Sequence, residues 1–283
     1  MASLFVEQLT VIDFSYLCPE RGLVGESWLV DVVLDGSLNE QGMVFDFGNV
    51  KKDIKQAIDS TIDHTLVVPS KSKAIQLVDH GDIREVMLET SQNGILHCQA
   101  PSAAIVPIPV DVITPSTLKA VVEEHLKSVV PDNVDSVSVN LYPQSIQEAY
   151  YHYSHGLKKH HGDCQRIAHG HRSPLKVKLD GQTSPQLASQ WAKKWQDIYL
   201  VTEADILDEF ENKGFRYIKC GYQAPQGYFE LTINKKCCYF FQTDTTVELI
   251  AQHLAQEIKK DYPSHQVTVH AYEGYKKGAI ATA

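Results

Sequence analysis

Residues 153–179 of the chain read YSHGLKKHHGDCQRIAHGHRSPLKVKL, and this stretch indicates both a strand and a site. Six of the 13 histidines lie between His152 and His171. Alternate side chains of an extended strand leave the same face, so His169 and His171 share one face. The odd-numbered register continues with three apolar residues, Leu175, Val177 and Leu179. The pattern predicts two histidines at the loop end of the buried face of a strand.

A metal centre needs further ligands, and His155, just before the intervening loop, is the natural third one. Three neutral imidazoles leave Zn²⁺ with its full charge and an open fourth position, as in catalytic rather than structural sites. Such an ion polarises a carbonyl or hydroxyl oxygen. Cys164 lies on the same loop, where the charge should favour its thiolate. The spacing between Cys164 and His169 also permits the thiol to be a fourth ligand that closes the site.

A solvated, histidine-rich loop that binds metal only incidentally is the alternative interpretation. We assign three histidines to such a loop: His152, His160 and His161. The HGH pair differs because its side chains follow the apolar register of the strand. We therefore predict zinc bound by three other histidines, His155, His169 and His171.

Length and composition exclude several classes of protein. At 283 residues, 43% of them hydrophobic and 22% charged, the chain has room for two ordinary globular domains. A formal charge of −9 and the lack of a basic, aromatic-rich patch argue against a nucleic-acid partner. No apolar run reaches bilayer-spanning length, so we expect no membrane partner. The six cysteines lack framework spacing, which favours reduced thiols and a cytoplasmic location.

The sequence contains an internal repeat about half the chain long. LVGESWLVDVVLDG at 23–36 matches IAHGHRSPLKVKLDG at 167–181, with a shared Gly and a shared closing Asp-Gly. The match places three residues of the first half at the ligand positions: Val24 for His169, Glu26 for His171 and Ser15 for His155. We therefore predict two domains, a degenerate repeat without zinc ligands at 1–143 and a zinc-binding repeat at 144–283.

Helices and hairpins follow in the same order in both halves. Residues spaced as on one helix face form apolar stripes, typical of a core-facing helix: Val50, Ile54, Ile58 and Ile62 in the first half, Leu187, Trp191 and Trp195 in the second. Asn93-Gly94 between apolar stretches predicts a hairpin. A second helix and a closing alternating strand complete each half, and the last strand ends near Glu273.

Several features of the second half occur together in one known family. They are His155, Cys164 shortly before His169-Gly170-His171, Thr245-Thr246 with Glu248, and the late Glu273. With these residues the chain resembles the 6-pyruvoyltetrahydropterin synthase / 6-carboxytetrahydropterin synthase family. The combination of Cys, HGH and late Glu is far more specific than any one part. The first half resembles a degenerate copy.

The resemblance implies an α+β fold made of two tandem tunnelling-fold (T-fold) repeats. In that fold, antiparallel four-stranded sheets with helices on one face assemble into a barrel, and the sites lie between subunits. We therefore expect a homo-oligomer. The resemblance also implies zinc as cofactor and a small-molecule pterin, 7,8-dihydroneopterin triphosphate, as substrate.

The resemblance also implies roles for individual residues. Cys164 would abstract a proton, and Glu273 would anchor the pterin, whose N–H edge offers a carboxylate two donors. Glu273 has an alternative as a strand-end carboxylate that reaches water. Thr246 is a substrate-binding candidate, although Thr245 to Glu248 also fits a capping box at a helix start. Lys277 and the lysine before it either meet the triphosphate or form a solvated surface.

The acid–base pair of the family is divided between the two halves. The second half has Asp197 followed by Ile198, where the family has Asp-His, whereas the first half retains Asp63-His64. We predict a composite site in which the first half supplies the pair. The predicted catalytic residues are Cys164, Asp63, His64 and Asp197. The alternative is that Asp63-His64 is a relic or a strand-end hydrogen bond.

These observations favour a zinc-dependent tetrahydropterin synthase of the 6-carboxy type, in the pathway to queuosine and other deazapurines. An aldolase-like relative is less favoured, because that branch has Glu in place of the Cys. A zinc- and pterin-binding protein without turnover, or a structural assembly partner, are the alternatives from other classes.

Overall fold

The computed structural model describes residues 2–283 and shows an α+β fold, as the sequence predicts. Two tandem repeats have the same order of elements: a long strand pair, a helical segment, two short hairpins, a second helix and a closing strand. The join between the repeats is short, because the last strand of the first repeat ends at Pro143 and the next strand begins at Tyr150.

The first repeat contains eight strands: β1 (Ala2–Cys18), β2 (Gly22–Gly36), β3 (Leu66–Pro69), β4 (Ile75–Asp79), β5 (Ile83–Thr90), β6 (Gly94–Pro101), β7 (Ile105–Ile108) and β8 (Val134–Pro143). Its helical segments are α1 (Phe47–Asn49), a π-helical turn (Val50–Ile54), α2 (Lys55–Ile62) and α3 (Pro115–Leu126). Asp46 caps α1 by accepting a hydrogen bond from the Gly48 N–H.

The second repeat contains ten strands: β9 (Tyr150–His155), β10 (His169–Leu179), β11 (Gln182–Thr183), β12 (Ile198–Thr202), β13 (Ile206–Asn212), β14 (Phe215–Ala224), β15 (Gly227–Asn234), β16 (Cys238–Phe241), β17 (Val267–Tyr272) and β18 (Gly278–Thr282). Its helices are α4 (Pro185–Lys194) and α5 (Val247–Asp261). Ser184-Pro185 begins α4 as the sequence predicts, since Pro is favoured in the first turn.

Within residues 2–283 the strands form three sheets with five, seven and six strands, so the predicted four-stranded sheets were too small. The first sheet has the order β7-β3-β1-β2-β8 and the second β16-β12-β9-β10-β17-β18, with β11 beside β10. A run of four antiparallel neighbours occurs in the second sheet, β9-β10-β17-β18. The first sheet has three such neighbours, because β3 and β7 add to it in parallel.

Helices pack on one face of each main sheet, as predicted. In the first repeat, the four stripe residues Val50, Ile54, Ile58 and Ile62 are fully buried against β1, β2 and β8. In the second repeat, Leu187 and Trp195 of the other stripe are buried with α5 against β9, β10 and β17. Removal of this apolar surface from water is the main stabilising contribution to each repeat.

The third sheet joins the two repeats through their hairpins. Its order is β13-β14-β15-β6-β5-β4, and β15 of the second repeat pairs with β6 of the first. The predicted Asn93-Gly94 turn connects β5 to β6, and Gly94 has the positive φ that such turns require. A shared apolar core lies beneath this sheet, so the repeats fold as one packed body.

The two main sheets contact each other on the faces opposite their helices. Ser15 and Ser154 lie in hydrogen-bond contact, 2.7 Å apart, at the centre of this interface. Gly25 permits the close approach, because a Cβ atom there would lie 1.9 Å from the Tyr153 carbonyl oxygen. Strands β1 and β2 of the first repeat therefore lie directly against β9 and β10.

Strand pairing corrects two of the sequence equivalences between the repeats. Ser15 pairs with Gly25 as Ser154 pairs with Gly170, so Ser15 corresponds to Ser154 and not to His155. The first-repeat residue at the His155 position is Tyr16.

The second correction concerns the acid–base pair. Leu66 pairs with Ser15 as Tyr199 pairs with Ser154. His64 lies two residues before Leu66, and Asp197 lies two residues before Tyr199. His64 is therefore the equivalent of Asp197. Both have a positive φ, 52° and 55°, which few non-glycine residues adopt. The sequence match had aligned the two aspartates because their letters agree.

Candidate metal and acid–base site

Three histidines converge at one end of the second sheet, as predicted. His155 ends β9, and His169 and His171 begin β10, where His169 pairs directly with His155. Their potential ligand nitrogens all lie within 4.8 Å of one another, and all three side chains are buried. Ring centroids are 4.5 Å apart for His155 and His169, and 5.5 Å for His155 and His171. The rings are therefore gathered at one point.

The hydrogen bonds of the three rings fit a metal site. Nδ1 of His155 donates toward the carbonyl and hydroxyl oxygens of Thr245, at 3.1 and 3.0 Å. Nδ1 of His169 donates to the Arg166 carbonyl at 2.8 Å. The Nε2 atoms of all three rings are buried without a protein partner. A buried nitrogen without a partner is costly, and a shared metal ion would satisfy three of them together.

The protonation of the ligands also suits a metal. Burial and the neighbouring imidazoles hold the pKa of His155 and of His169 well below the usual range. Neutral imidazole is the form that coordinates a cation, because its second nitrogen then carries a free lone pair. The site therefore presents the required form without first losing protons to solvent.

The ring of His171, the third potential ligand, lies beside a carboxylate that was not predicted from the sequence. Oδ1 of Asp13 lies 3.2 Å from Nδ1 of His171, although the N–H does not point along a hydrogen-bond direction. Asp13 is buried and accepts a hydrogen bond from Ser27 at 2.5 Å. Burial would raise the pKa of Asp13, but His171, Lys277 and Ser27 hold it well below the usual range. A charged residue between Ile and Phe of a strand was the available signal.

The structure brings Asp63 and His64 of the first repeat to this site. The His64 ring centroid lies 5.4 Å from that of His169 and 6.4 Å from that of His171. Nδ1 of His64 bonds Oδ2 of Asp63 at 2.7 Å, and the backbone N–H of Asp13 donates to Oδ1 of the same carboxylate. The pair is therefore held in position by strand β1.

Cys164 completes this group from the loop between β9 and β10. Burial alone would lower the pKa of His64, but hydrogen bonds with Asp63 and Cys164 outweigh it and raise the pKa to about 10. Cys164 is close enough to influence the pKa of His64, and the three-histidine cluster able to hold a metal among the described residues does not include it. This placement supports an open coordination site rather than a closed Cys-His₃ site.

Glu273 lies at the same end of the second sheet, directly after β17. Leu175 pairs with Ala271, so the register carries Glu273 toward Ser173, two residues from His171. Glu273 and Asp13 both act electrostatically on Lys277, whose Nζ lies 3.2 Å from Oδ2 of Asp13. Lys277 is half-exposed, and its contact with Asp13 makes it more than the solvated surface residue that the sequence left open.

The threonines at the start of α5 have separate roles. Thr246 is the N-cap, and its hydroxyl accepts from the Leu249 N–H at 3.5 Å, so the cap lies one residue after the Thr245 start of the predicted capping box. Thr245 is fully buried and contacts His155. The sequence analysis noted Thr245 only as part of the motif and did not predict this contact.

Asp197 does not join the metal-binding histidines. Arg21 of the first repeat donates to both of its carboxylate oxygens, at 2.9 and 2.5 Å. The prediction that His152 belongs to a solvated loop was wrong, because it is 6% exposed in β9 and its Nδ1 donates to the Gly25 carbonyl. His160 and His161 are exposed as expected.

A second group of residues, which includes Asp197 and His152, lies on the symmetry-related side of the interface between the repeats. We call it the counterpart cluster: Tyr16, Arg21, Glu26, His152 and Asp197. Burial raises the pKa of Glu26 to about 7, against the opposing effects of the Ser27 N–H and nearby arginines. Burial lowers the pKa of His152 to about 4.

Comparison with known proteins identifies the family. The sequence profile of 6-pyruvoyl tetrahydropterin synthase matches residues 18–142 and again residues 145–282. Because the two matches together cover most of the chain, the protein belongs to the 6-pyruvoyltetrahydropterin synthase family and contains two copies of its domain. Members of this family are metal-dependent lyases that act on pterins.

Solved structures of 6-pyruvoyltetrahydropterin synthases match about half of the chain. A catalytic-residue mutant of the Plasmodium vivax 6-pyruvoyltetrahydropterin synthase is 19% identical, with a TM-score of 0.42, over 52% of this chain and 93% of that chain. The Plasmodium falciparum enzyme is 14% identical, with a TM-score of 0.36, over 50% of this chain and 98% of that one. No curated protein matches the chain. Among residues 2–283, no helix combines the length and apolarity needed to cross a membrane.

Proposed function

We propose that the protein is a zinc-dependent tetrahydropterin synthase acting on 7,8-dihydroneopterin triphosphate, of the 6-carboxy type that leads to queuosine and other deazapurines. The observation that carries the proposal is the composite site. Three histidines of the second repeat turn their free nitrogens to one point, and the thiol beside them meets an Asp–His pair from the first repeat. Three neutral imidazoles with an open position suit a catalytic zinc ion.

The chain's own residues have distinct roles in this chemistry. Zinc held by the three histidines would polarise the side-chain oxygens of the pterin and acidify the neighbouring C–H. Cys164 takes the proton from that carbon as the general base. His64, which Asp63 orients and favours in its protonated form, would place a positive charge beside Cys164 and act as the general acid of the site.

Glu273 anchors the pterin in this proposal. A carboxylate beside a largely apolar strand face needs donors, and the pterin N–H and NH₂ groups form a bidentate pair with it. Its place directly after β17, at the same end of the sheet as His171, brings the bound ring beside the metal-binding histidines. Thr246 remains a weaker substrate-binding candidate, because its hydroxyl already caps α5.

We also propose that the protein is a cytoplasmic homo-oligomer. Strands β8 and β18 each form one edge of a main sheet, and an edge strand presents backbone groups that can pair with another chain and so extend the sheet toward a barrel. Ile280 on β18 is 66% exposed. The six cysteines of residues 2–283 are free thiols, which suits a reducing compartment.

The test is to incubate zinc-loaded protein with 7,8-dihydroneopterin triphosphate and to measure acetaldehyde and the carboxylated pterin. We expect both products in equal amounts, and none from zinc-loaded Cys164→Ala. Bound zinc without any product from the unmodified protein would contradict the proposal and indicate a pterin-binding protein. Product from Cys164→Ala at the normal rate would exclude the thiol as the base.

A further inference from the structure

The three metal-binding histidines differ in what lies behind them. His155 and His169 each donate from Nδ1 to an oxygen of their own repeat, at Thr245 and Arg166. His171 has no such acceptor in the second repeat among the described residues. The oxygen nearest to its Nδ1 belongs to Asp13, on strand β1 of the first repeat, at 3.2 Å.

The position of Asp13 is fixed on several sides. Ser27 donates to Oδ1 at 2.5 Å, and Lys277 approaches Oδ2 at 3.2 Å. The Asp13 backbone N–H donates to Asp63, and its carbonyl accepts from the His64 N–H at 2.7 Å. This carboxylate therefore has one available position, which places it beside His171.

The chain also leaves space for this carboxylate. Gly274 follows Glu273, and a Cβ atom there would lie 2.4 Å from Oδ1 of Asp13. Its φ of +69° is a second reason for glycine at this position. The turn after β17 of the second repeat is thus shaped to admit a side chain from β1 of the first.

The symmetry-related position shows that the carboxylate is specific to the metal end. Strand pairing makes His152 the equivalent of Asp13, and Glu26 the equivalent of His171. His152 donates to the Gly25 carbonyl and lies 3.8 Å from Glu26. At the metal end, the carboxylate of Asp13 lies beside the ring of His171. At the equivalent positions of the other end the residue types are exchanged, and the ring of His152 lies beside the carboxylate of Glu26.

We propose that Asp13 is a positioning residue for the metal site: when His171 turns its Nε2 to the ion, its Nδ1–H comes into line with the Asp13 carboxylate 3.2 Å away, which accepts it and holds the ring. A carboxylate behind a ligating histidine fixes its tautomer and its orientation and increases its basicity. The first repeat, which has no ligand of its own, then contributes directly to metal affinity. The inference rests on the proposed metal site but not on turnover.

The test is a competition titration of the metal-free protein with zinc against a chromophoric chelator, for the unmodified chain, Asp13→Ala and Asp13→Asn. Loss of an outer-shell partner typically weakens metal binding 10- to 100-fold, so we expect roughly that loss for Asp13→Ala. Asp13→Asn keeps the shape and an acceptor oxygen but not the charge, and we expect a loss of about tenfold. The Co²⁺ spectrum of both variants should change, because the His171 ring is reoriented.

His152→Ala is the matched control, since it removes the buried side chain at the equivalent position and should leave zinc affinity unchanged. Unmodified affinity in both Asp13 variants would overturn the proposal, as would an equal loss of affinity in His152→Ala. Absence of zinc binding by the unmodified chain would also overturn it. If zinc binds with the expected pattern but no pterin is converted, the proposed function fails and the role of Asp13 stands.

Discussion

The metal-binding end and the counterpart cluster occupy equivalent positions in the two repeats but differ in almost every functional side chain. Tyr16, Val24 and Glu26 stand where the second repeat has its three histidines. At the position equivalent to His64, the counterpart cluster has Asp197, which forms an ion pair with Arg21. One end therefore has the three potential metal ligands, and the equivalent end has an ion pair between the repeats.

Loop length explains much of this difference. Strands β1 and β2 are separated by the short turn 19–21, whereas 156–168 separates β9 from β10. The long loop carries Cys164 close enough to His64 to influence its pKa, and Tyr199 and Tyr222 anchor the loop by donating to the Ile167 and Gln165 carbonyls. A short turn has no room for such a group, so Arg21 reaches across to Asp197 instead.

Removal of one ligand should have the largest effect. His169→Ala leaves two imidazoles, so we expect loss of stoichiometric zinc and of all turnover, because three protein ligands are needed for a catalytic zinc site. The matched change at the counterpart end is Val24→Ala, which should leave zinc content unchanged. Metal analysis of both purified proteins is the measurement. Full zinc content in His169→Ala would contradict the assignment of the metal site to the histidines of the second repeat.

Replacement of His64 should separate chemistry from metal binding. We expect His64→Ala to retain zinc and to lower turnover by roughly 10²- to 10⁴-fold, the range for loss of a general acid or base. Its equivalent in the other repeat is Asp197, and Asp197→Ala should retain normal turnover. Steady-state rates with metal content measured on the same samples decide the matter. Unchanged turnover in His64→Ala would mean that the Asp63–His64 pair is a relic.

Disruption of the ion pair in the counterpart cluster should affect stability and not activity. Arg21→Ala leaves the Asp197 carboxylate without its bidentate donor, which should lower the free energy of unfolding by about 1–2 kcal/mol. Urea unfolding of the metal-free protein measures this change, and zinc affinity should be unaltered. A loss of zinc affinity in Arg21→Ala would show that the two ends are coupled.

The pH dependence of stability should show the two opposed groups of the counterpart cluster. Glu26 has a pKa of about 7 in the folded protein against 4.5 unfolded, so its contribution to stability is lost as pH rises between these values. His152 has a pKa of about 4 against 6.5 unfolded, so its contribution is lost as pH falls between them. In the unmodified protein the two trends oppose each other.

Single replacements should reveal each trend alone. The free energy of unfolding of Glu26→Gln should rise with pH between about 4 and 6.5, because the effect of His152 is then unopposed. The free energy of unfolding of His152→Gln should fall with rising pH between about 4.5 and 7, because the effect of Glu26 is then unopposed. In each variant the free energy of unfolding should change by at most about 1.4 kcal/mol per pH unit, the value for one proton. Identical urea midpoints across this range in all three proteins would contradict these assignments.

Local patterns in the sequence predicted much of the fold and the ligands. Alternation placed His169 and His171 on a buried strand face, and the 3.6-residue period located the helices, because both signals depend only on neighbouring residues. Asp13 could not be found in this way, because it reaches His171 from the other repeat. The predicted equivalence of Asp63 with Asp197 failed for a related reason: backbone conformation, not residue identity, defines the matching position.

The central claim is that three imidazoles hold an ion whose fourth position is open, because Cys164 is not part of the ligand cluster. X-ray absorption at the zinc edge of the loaded protein tests this most directly. The account predicts nitrogen and oxygen neighbours at about 2.0–2.1 Å, three of them imidazole, and no sulfur. A sulfur neighbour at about 2.3 Å would place Cys164 on the metal and contradict the proposed chemistry.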